Sequence, residues 1–269
     1  MKTLITGAGG QLGREIKSLI PDALTPAKDE LDLRDPEEVY SYLLREKPDQ
    51  IFNCGAMTDV DKCETERMDA LKINALSPVA MARYASRFSS RLIHFSTDYV
   101  FDGGRGNYSE DDIPDPINYY GKSKLLGDFA ILPVPNSIII RTSGVFGNKM
   151  NFPLFVYRNL KEGREIRAIE SFYSPISARN LARASVELNN MHFNGLINVS
   201  GERISRYEFA IKIAKHFNLD QNLVKRSTEI SGGRARRPRD SSLCIEKAKK
   251  IILWDFHSAE SNITYIGEI

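Results

Sequence analysis

The chain has 269 residues, 42% of them hydrophobic and 27% charged, with a net charge of +2. That composition excludes disordered, collagen-like and coiled-coil chains, and it leaves room for one large domain or one and a half smaller ones. A charge this close to balance offers no global field to nucleic acid or to an anionic membrane. Cys54, Cys63 and Cys244 are an odd number without metal-ligand spacing. They read as reduced thiols with no metal site, in a cytoplasmic protein. No apolar run reaches the length of a membrane span, and the opening "MKTLITGAGG" lacks a cleavage site, so neither an anchor nor a signal peptide is expected.

Along the chain, "TLIT" (3–6) reads as a strand and "QLGREIKSLI" (11–20) as a helix. Between them Gly7, Gly10 and Gly13 form G-x-x-G-x-x-G. After a first strand and before a first helix, glycines serve a tight turn, close backbone approach to a pyrophosphate and close helix packing. The N–H groups and positive dipole end of the helix then favour phosphate, so Gly7, Gly10, Gln11, Leu12 and Gly13 are expected to hold a dinucleotide. A second strand, "ALTP" (23–26), ends without the acid that would bind an NAD ribose. Lys28 stands there instead and favours a 2′-phosphate, hence NADPH, with NADH the alternative. Asp29 or Glu30 could swing into the same space, and Asp32 with Leu33 is placed to flank an adenine.

"DPEEVYSYLLREK" (35–47) starts as a helix capped by Asp35 before Pro36. "IFNCGA" (51–56), "RLIHFS" (91–96) and "SIIIRTS" (137–143) read as buried strands, with a long helix over 68–88. Near-continuous apolar strands alternating with helices predict a doubly wound, parallel α/β sheet of the Rossmann kind over residues 1–145. Gly55 and Ala56 end that strand with small residues, and Thr58 follows in the next loop. Asparagine is disfavoured mid-helix, which singles out Asn74. Residues 146–269 read mainly as a smaller substrate lobe, with 177–200 returning to the sheet.

"NYYGKSK" (118–124) poses the catalytic question. A carbonyl reductase needs a proton donor, and a tyrosine serves if an ammonium lowers its pKa of about 10. Tyr and Lys four apart on a helix share a face, and only Tyr120 with Lys124 has that spacing. Tyr119 and Lys122 then read as surface or packing residues.

The blocks "TGAGGQLG", "NCGAMTDVDKCE", "INA", "STDYVFDG", "YGKSKLLGD", "RTSGVFG" and "ARRPRDSSL" occur in the order found in the extended short-chain dehydrogenases/reductases. More narrowly the chain resembles the dTDP-4-dehydrorhamnose reductase family. The resemblance implies reduction of a dTDP-linked 4-keto-6-deoxy sugar, with Thr97, Tyr120 and Lys124 catalytic and Ser96 the rival hydroxyl. Thr97, Asp98, Tyr99 and Val100 would contact substrate. It implies that Gly55 and Ala56 let a cofactor lie against backbone and that Thr58 caps the next loop or touches substrate. It also implies that Asn74 has a structural or proton-relay role, and that Thr142 and Ser143 end the strand that would run beneath the nicotinamide. Arg237, with Arg236 second, would grip the diphosphate, because a guanidinium fork binds phosphate oxygens in pairs. Two substrate-side departures stand out: Gly144 replaces the family's tryptophan, and "ESFYSPI" (170–176) keeps only Pro175 of the family stretch. The chain is also similar to the regulatory β subunit of methionine adenosyltransferase, which binds NADP. On that alternative its partner is a methionine adenosyltransferase; on the first, a nucleotide sugar, with a homodimer left open.

Overall fold

The computed structural model describes residues 1–228 and 233–266. The chain runs β1 (Thr3–Thr6), α1 (Gln11–Leu19), α2 (Pro36–Glu46), β2 (Gln50–Asn53), α3 (Val60–Thr65), α4 (Arg67–Leu71), α5 (Ser77–Phe88) and β3 (Arg91–Thr97). It continues through α6 (Tyr119–Ile131), β4 (Ser137–Phe146), α7 (Phe152–Lys161), β5 (Ile166–Ile169), β6 (Phe172–Tyr173), β7 (Pro175–Ser177) and α8 (Ala178–Asn190). Then follow β8 (Gly195–Asn198), β9 (Ile204–Ser205), α9 (Arg206–His216), β10 (Val224–Ser227), α10 (Glu246–Lys249) and α11 (Ala259–Ile263).

Strands β1, β2, β3 and β4 pair in that order, and both β7 and β8 pair with β4, all in parallel. Consecutive side chains on each strand go to opposite faces. Ile5, Phe52, Ile93, Ile138 and Ile140 therefore meet Ile16 of α1 and Leu181 and Leu188 of α8. Leu4, Ile51, Leu92 and Ile139 meet Val39 and Leu43 of α2 and Met81 of α5 on the other side. Both faces are covered, which is why the strand sequences read as unbroken apolar runs. A further core of Phe146, Leu160, Ile166, Phe209, Ile213 and Ile263 builds the second lobe around β5 and α9.

The expected strand at 23–26 shrinks to one bridge, Leu24 with Leu4. Pro26, which has no N–H to donate, follows directly. That bridge still matters. The chain visits one edge of β1 at Leu24 and then crosses to pair β2 with the other edge. The reversal lies at the C-terminal ends of β1 and β2, the crevice where open α/β sheets bind ligands.

The helix expected over 68–88 is broken in register: Lys72–Leu76 forms a π-turn between α4 and α5. Such turns are rare and gather at functional sites.

Candidate functional site

The glycine turn fits a dinucleotide backbone. Gly7 has φ +66°, and a Cβ there would lie 2.7 Å from the Gly55 backbone; one on Gly13 would lie 2.4 Å from the Gly7 carbonyl oxygen. Any larger residue would fill the cradle. No side chain caps α1, so its first N–H groups are free to meet an anion. The Gln11 side chain is partly committed elsewhere: it reaches the loop after β4 and accepts from Asn151 Nδ2 at 3.1 Å.

A cavity of about 390 Å³ opens here, lined by Gly10, Gln11, Leu12, Gly13, Ala56 and Thr58, and by Thr97, Asp98, Tyr120 and Lys124. Strand ends and the first turns of α1 and α6 supply this lining. Sequence reasoning missed Cys54, Phe95, Val145 and Lys149, which also line it. These are apolar or long residues at strand ends, without a motif to flag them.

Helix α6 brings the couple to this cavity. Asn118 caps it by accepting from Gly121 N–H at 2.8 Å, and donates through Nδ2 to the Arg236 carbonyl at 2.9 Å. Gly121 sits so close to the turn after β3 that a Cβ would be 2.0 Å from the Tyr99 carbonyl oxygen. This close approach sets Tyr120 beside Thr97, whose hydroxyl draws the phenol pKa down against the effect of burial. Tyr99 meets the Tyr120 ring edge-on, with centroids 5.9 Å apart. Tyr119 turns away: its N–H donates to Glu64 at 2.8 Å and Arg67 lies over its ring. Ser96 donates to Asp128 at 2.7 Å, whereas Thr97 donates to Asp98.

The sequence reading expects the Tyr120 phenol to be lowered. In the protein alone burial dominates and raises it, so the proton is retained. Lys124 is 2% exposed. Burial brings its ammonium down to about 8, against the pull of Asp128 and Cys54.

Several expected contacts are engaged within the protein. Val100 is fully buried in an apolar cluster with Phe101, Tyr108 and Leu243, because it occupies the inward side of a short 3₁₀ turn. Asp98 is 4% exposed and accepts from Thr97 at 3.1 Å, from Ser143 at 2.7 Å and from Ser241. Burial raises its carboxyl and these three hydroxyls draw it back down. Its work is to orient the Thr97 hydroxyl. Arg237 is held by Asp61, with nitrogen–oxygen distances of 2.7 and 3.1 Å. Arg237 and the Ala235 N–H bring the Asp61 carboxyl down to about 2. The basic stretch 232–239 begins at Gly232, outside the described residues.

On the adenine side, Asp32 is chelated by Arg34 and Lys28 is exposed nearby. The Arg34 fork neutralises Asp32, a pairing that sequence reading overlooked. Leu33 packs on Gly55, where a Cβ would meet it at 2.2 Å. Asn74 is spent structurally: its side chain accepts from Met57 N–H, donates to the Met57 carbonyl and donates to Ser123. The π-turn aims it inward for this purpose.

Next to the first cavity lies one of about 510 Å³, lined by Tyr99, Phe152, Phe155, Arg167, Arg206 and Arg237 among others. Arg206 lies over the rings of Phe152 and Tyr173. The departure at Gly144 has a physical reason: φ is +52° and a Cβ would be 2.7 Å from the Tyr173 ring. Tyr173, buried in the second-lobe core, occupies that space instead.

A family model for the RmlD substrate binding domain matches residues 1–266. A solved structure described as a hypothetical dTDP-4-dehydrorhamnose reductase from Sulfolobus tokodaii is 48% identical, covers 96% of this chain and 97% of its own, and superposes with a TM-score of 0.90. A dTDP-4-dehydrorhamnose reductase from Bacillus anthracis, solved in complex with NADP, is 31% identical over the whole of both chains with a TM-score of 0.91. The dTDP-4-dehydrorhamnose reductase of Aggregatibacter actinomycetemcomitans is 36% identical across 79% of this chain and 78% of its own. The methionine adenosyltransferase 2 subunit beta of Danio rerio is 31% identical across 90% and 82%. With its cradle, its Tyr–Lys helix and a family match over nearly its full length, the chain belongs to the RmlD substrate binding domain family.

Proposed function

We propose that the protein is an NADPH-dependent oxidoreductase of the cytoplasm that reduces the 4-keto group of a nucleotide-activated 6-deoxy sugar. The proposed reaction converts dTDP-4-dehydro-L-rhamnose to dTDP-L-rhamnose. The observation that carries this reading is the meeting of Thr97, Tyr120 and Lys124 on one cavity with the glycine cradle. The dinucleotide, when bound, supplies hydride to the sugar carbon.

Gly7, Gly10, Gln11, Leu12 and Gly13 would hold its pyrophosphate, and Ala56 and Thr58 its nicotinamide side. Lys28 would meet a 2′-phosphate once Arg34 has silenced Asp32. Tyr120 donates its proton to the developing alkoxide, and Thr97 would turn its single hydroxyl proton from Asp98 to the same oxygen. The Lys124 ammonium stabilises the phenolate that remains and returns a proton to it. The neighbouring cavity supports a place for the nucleoside diphosphate. There Arg167 and Arg206 have no carboxylate partner among the described residues, and Phe152 and Phe155 offer ring faces.

The likeness to a methionine adenosyltransferase β subunit favours one second reading, an NADP-binding regulatory subunit. Absorbance at the NADPH band separates the two. Mixing protein, NADPH and dTDP-4-keto-6-deoxy sugar should consume NADPH in proportion to sugar. No consumption, together with tight binding to a methionine adenosyltransferase, would establish the regulatory reading instead.

A further inference from the structure

Beneath Lys124 lies a buried polar chain that the reaction above does not use. It begins at the Gly55 N–H, which can only donate and does so to Thr6 Oγ1 at 3.2 Å. The Thr6 hydroxyl donates onward to Asn53 Oδ1 at 2.8 Å. Asn53 therefore turns Nδ2 toward His94 Nδ1, 3.0 Å away. An amide nitrogen has no lone pair to offer, so His94 Nδ1 must accept and the neutral ring carries its proton on Nε2. That Nε2 lies 3.4 Å from Lys124 Nζ and 3.6 Å from Asp128 Oδ1. Asp128 Oδ1 has no hydrogen-bond partner among the described residues, and His94 and Asp128 are both 0% exposed.

We propose that His94 is a positioning residue, held as its Nε2–H tautomer by the Gly55–Thr6–Asn53 chain, that presents a donor to Lys124 and so favours the neutral amine. The proposal rests on Lys124 being the group that returns a proton to Tyr120. An ammonium has three donors and no acceptor, so an N–H aimed at it competes with it for Asp128 rather than binding it. The neutral amine accepts that N–H. The chain ends at an amide and cannot feed His94 a second proton, so it sets a balance and does not conduct. The other groups facing Lys124 are Tyr120 and Asp128 on α6 and Cys54 after β2, with Arg141 of β4 acting through Asp128, 3.6 Å away. Burial and the Lys124 charge keep His94 well below the usual histidine range, in keeping with a neutral ring.

The direct probe is ¹⁵N NMR of the four histidine rings, with His94 assigned by its loss in His94→Gln. Its Nδ1 should resonate as an unprotonated nitrogen and Nε2 as a protonated one, unchanged from pH 6 to 9 as set by the experimenter. An Nδ1–H tautomer or an imidazolium in that range would overturn the proposal whether or not the protein reduces sugars. Thr6→Val then frees Asn53 to turn over. His94 should switch to Nδ1–H, offer Nε2 as acceptor, and raise the Lys124 titration, followed by its Nζ or Cε shift, by roughly one pH unit. A lysine titration unmoved in a folded Thr6→Val protein would equally contradict it.

Discussion

The two halves of the crevice are built differently. The cofactor side rests on backbone: glycines whose Cβ atoms would strike neighbouring main chain, and a helix start with free N–H groups. The substrate side rests on side chains that hold one another across the fold, such as Arg237 with Asp61 and Asp98 with Ser143 and Ser241. The first kind of site is fixed by local sequence. The second depends on pairings between positions far apart in the chain.

The sharpest way to break this comparison is at its meeting point. Tyr120→Phe keeps the ring and its packing but removes the proton, so kcat should fall by about 10²–10⁴-fold while NADPH binding persists. Gly13→Val tests the backbone half. Its side chain would drive into the Gly7 carbonyl, costing about 1–3 kcal/mol of stability and most NADPH affinity, read by thermal melting and titration. Arg206→Ala tests the side-chain half: loss of a charged phosphate contact should raise the sugar-nucleotide KM about tenfold, leaving kcat largely unchanged. Arg237→Ala should raise it less, because Asp61 already engages that fork.

The pH profile sharpens the same point. Burial brings Lys124 to about 8, so its ammonium is present below that pH and lost as pH rises through it. Reduction should therefore decline on the alkaline side, with acid-side activity unaffected by this group. Smallest of all, Tyr119→Phe should change kcat by less than about twofold, since its hydroxyl lies outside the cavity lining.

Spacing explains what the sequence made legible. The glycines, the Tyr120–Lys124 step and the capped start at Asp35 are each local patterns with one physical meaning. The apolar runs announce a sheet covered on both faces because parallel strands bury both sides. What escaped needed three-dimensional pairing. Val100 looks like its neighbours in "STDYVFDG", yet the 3₁₀ turn points it into the core. Arg237 reads as a phosphate ligand, and only the fold shows that Asp61, 176 positions away, engages its fork. Arg206 sits at the start of α9 with no motif around it, and only folding brings it beside Tyr173 and Phe152. The π-turn at 72–76 is marked in the sequence only by Asn74, a disfavoured residue in a pattern that otherwise reads as one helix.

The most direct test of the account follows the hydride itself. NADPH deuterated at both C4 positions of the nicotinamide is incubated with the protein and the dTDP-4-keto-6-deoxy sugar, and the product is analysed by mass spectrometry and NMR. The account predicts one deuterium on sugar C4 with wild type and Tyr119→Phe, and almost none with Tyr120→Phe at equal NADPH occupancy. Label transfer unimpaired in Tyr120→Phe, or absent from wild type with both ligands bound, would contradict it.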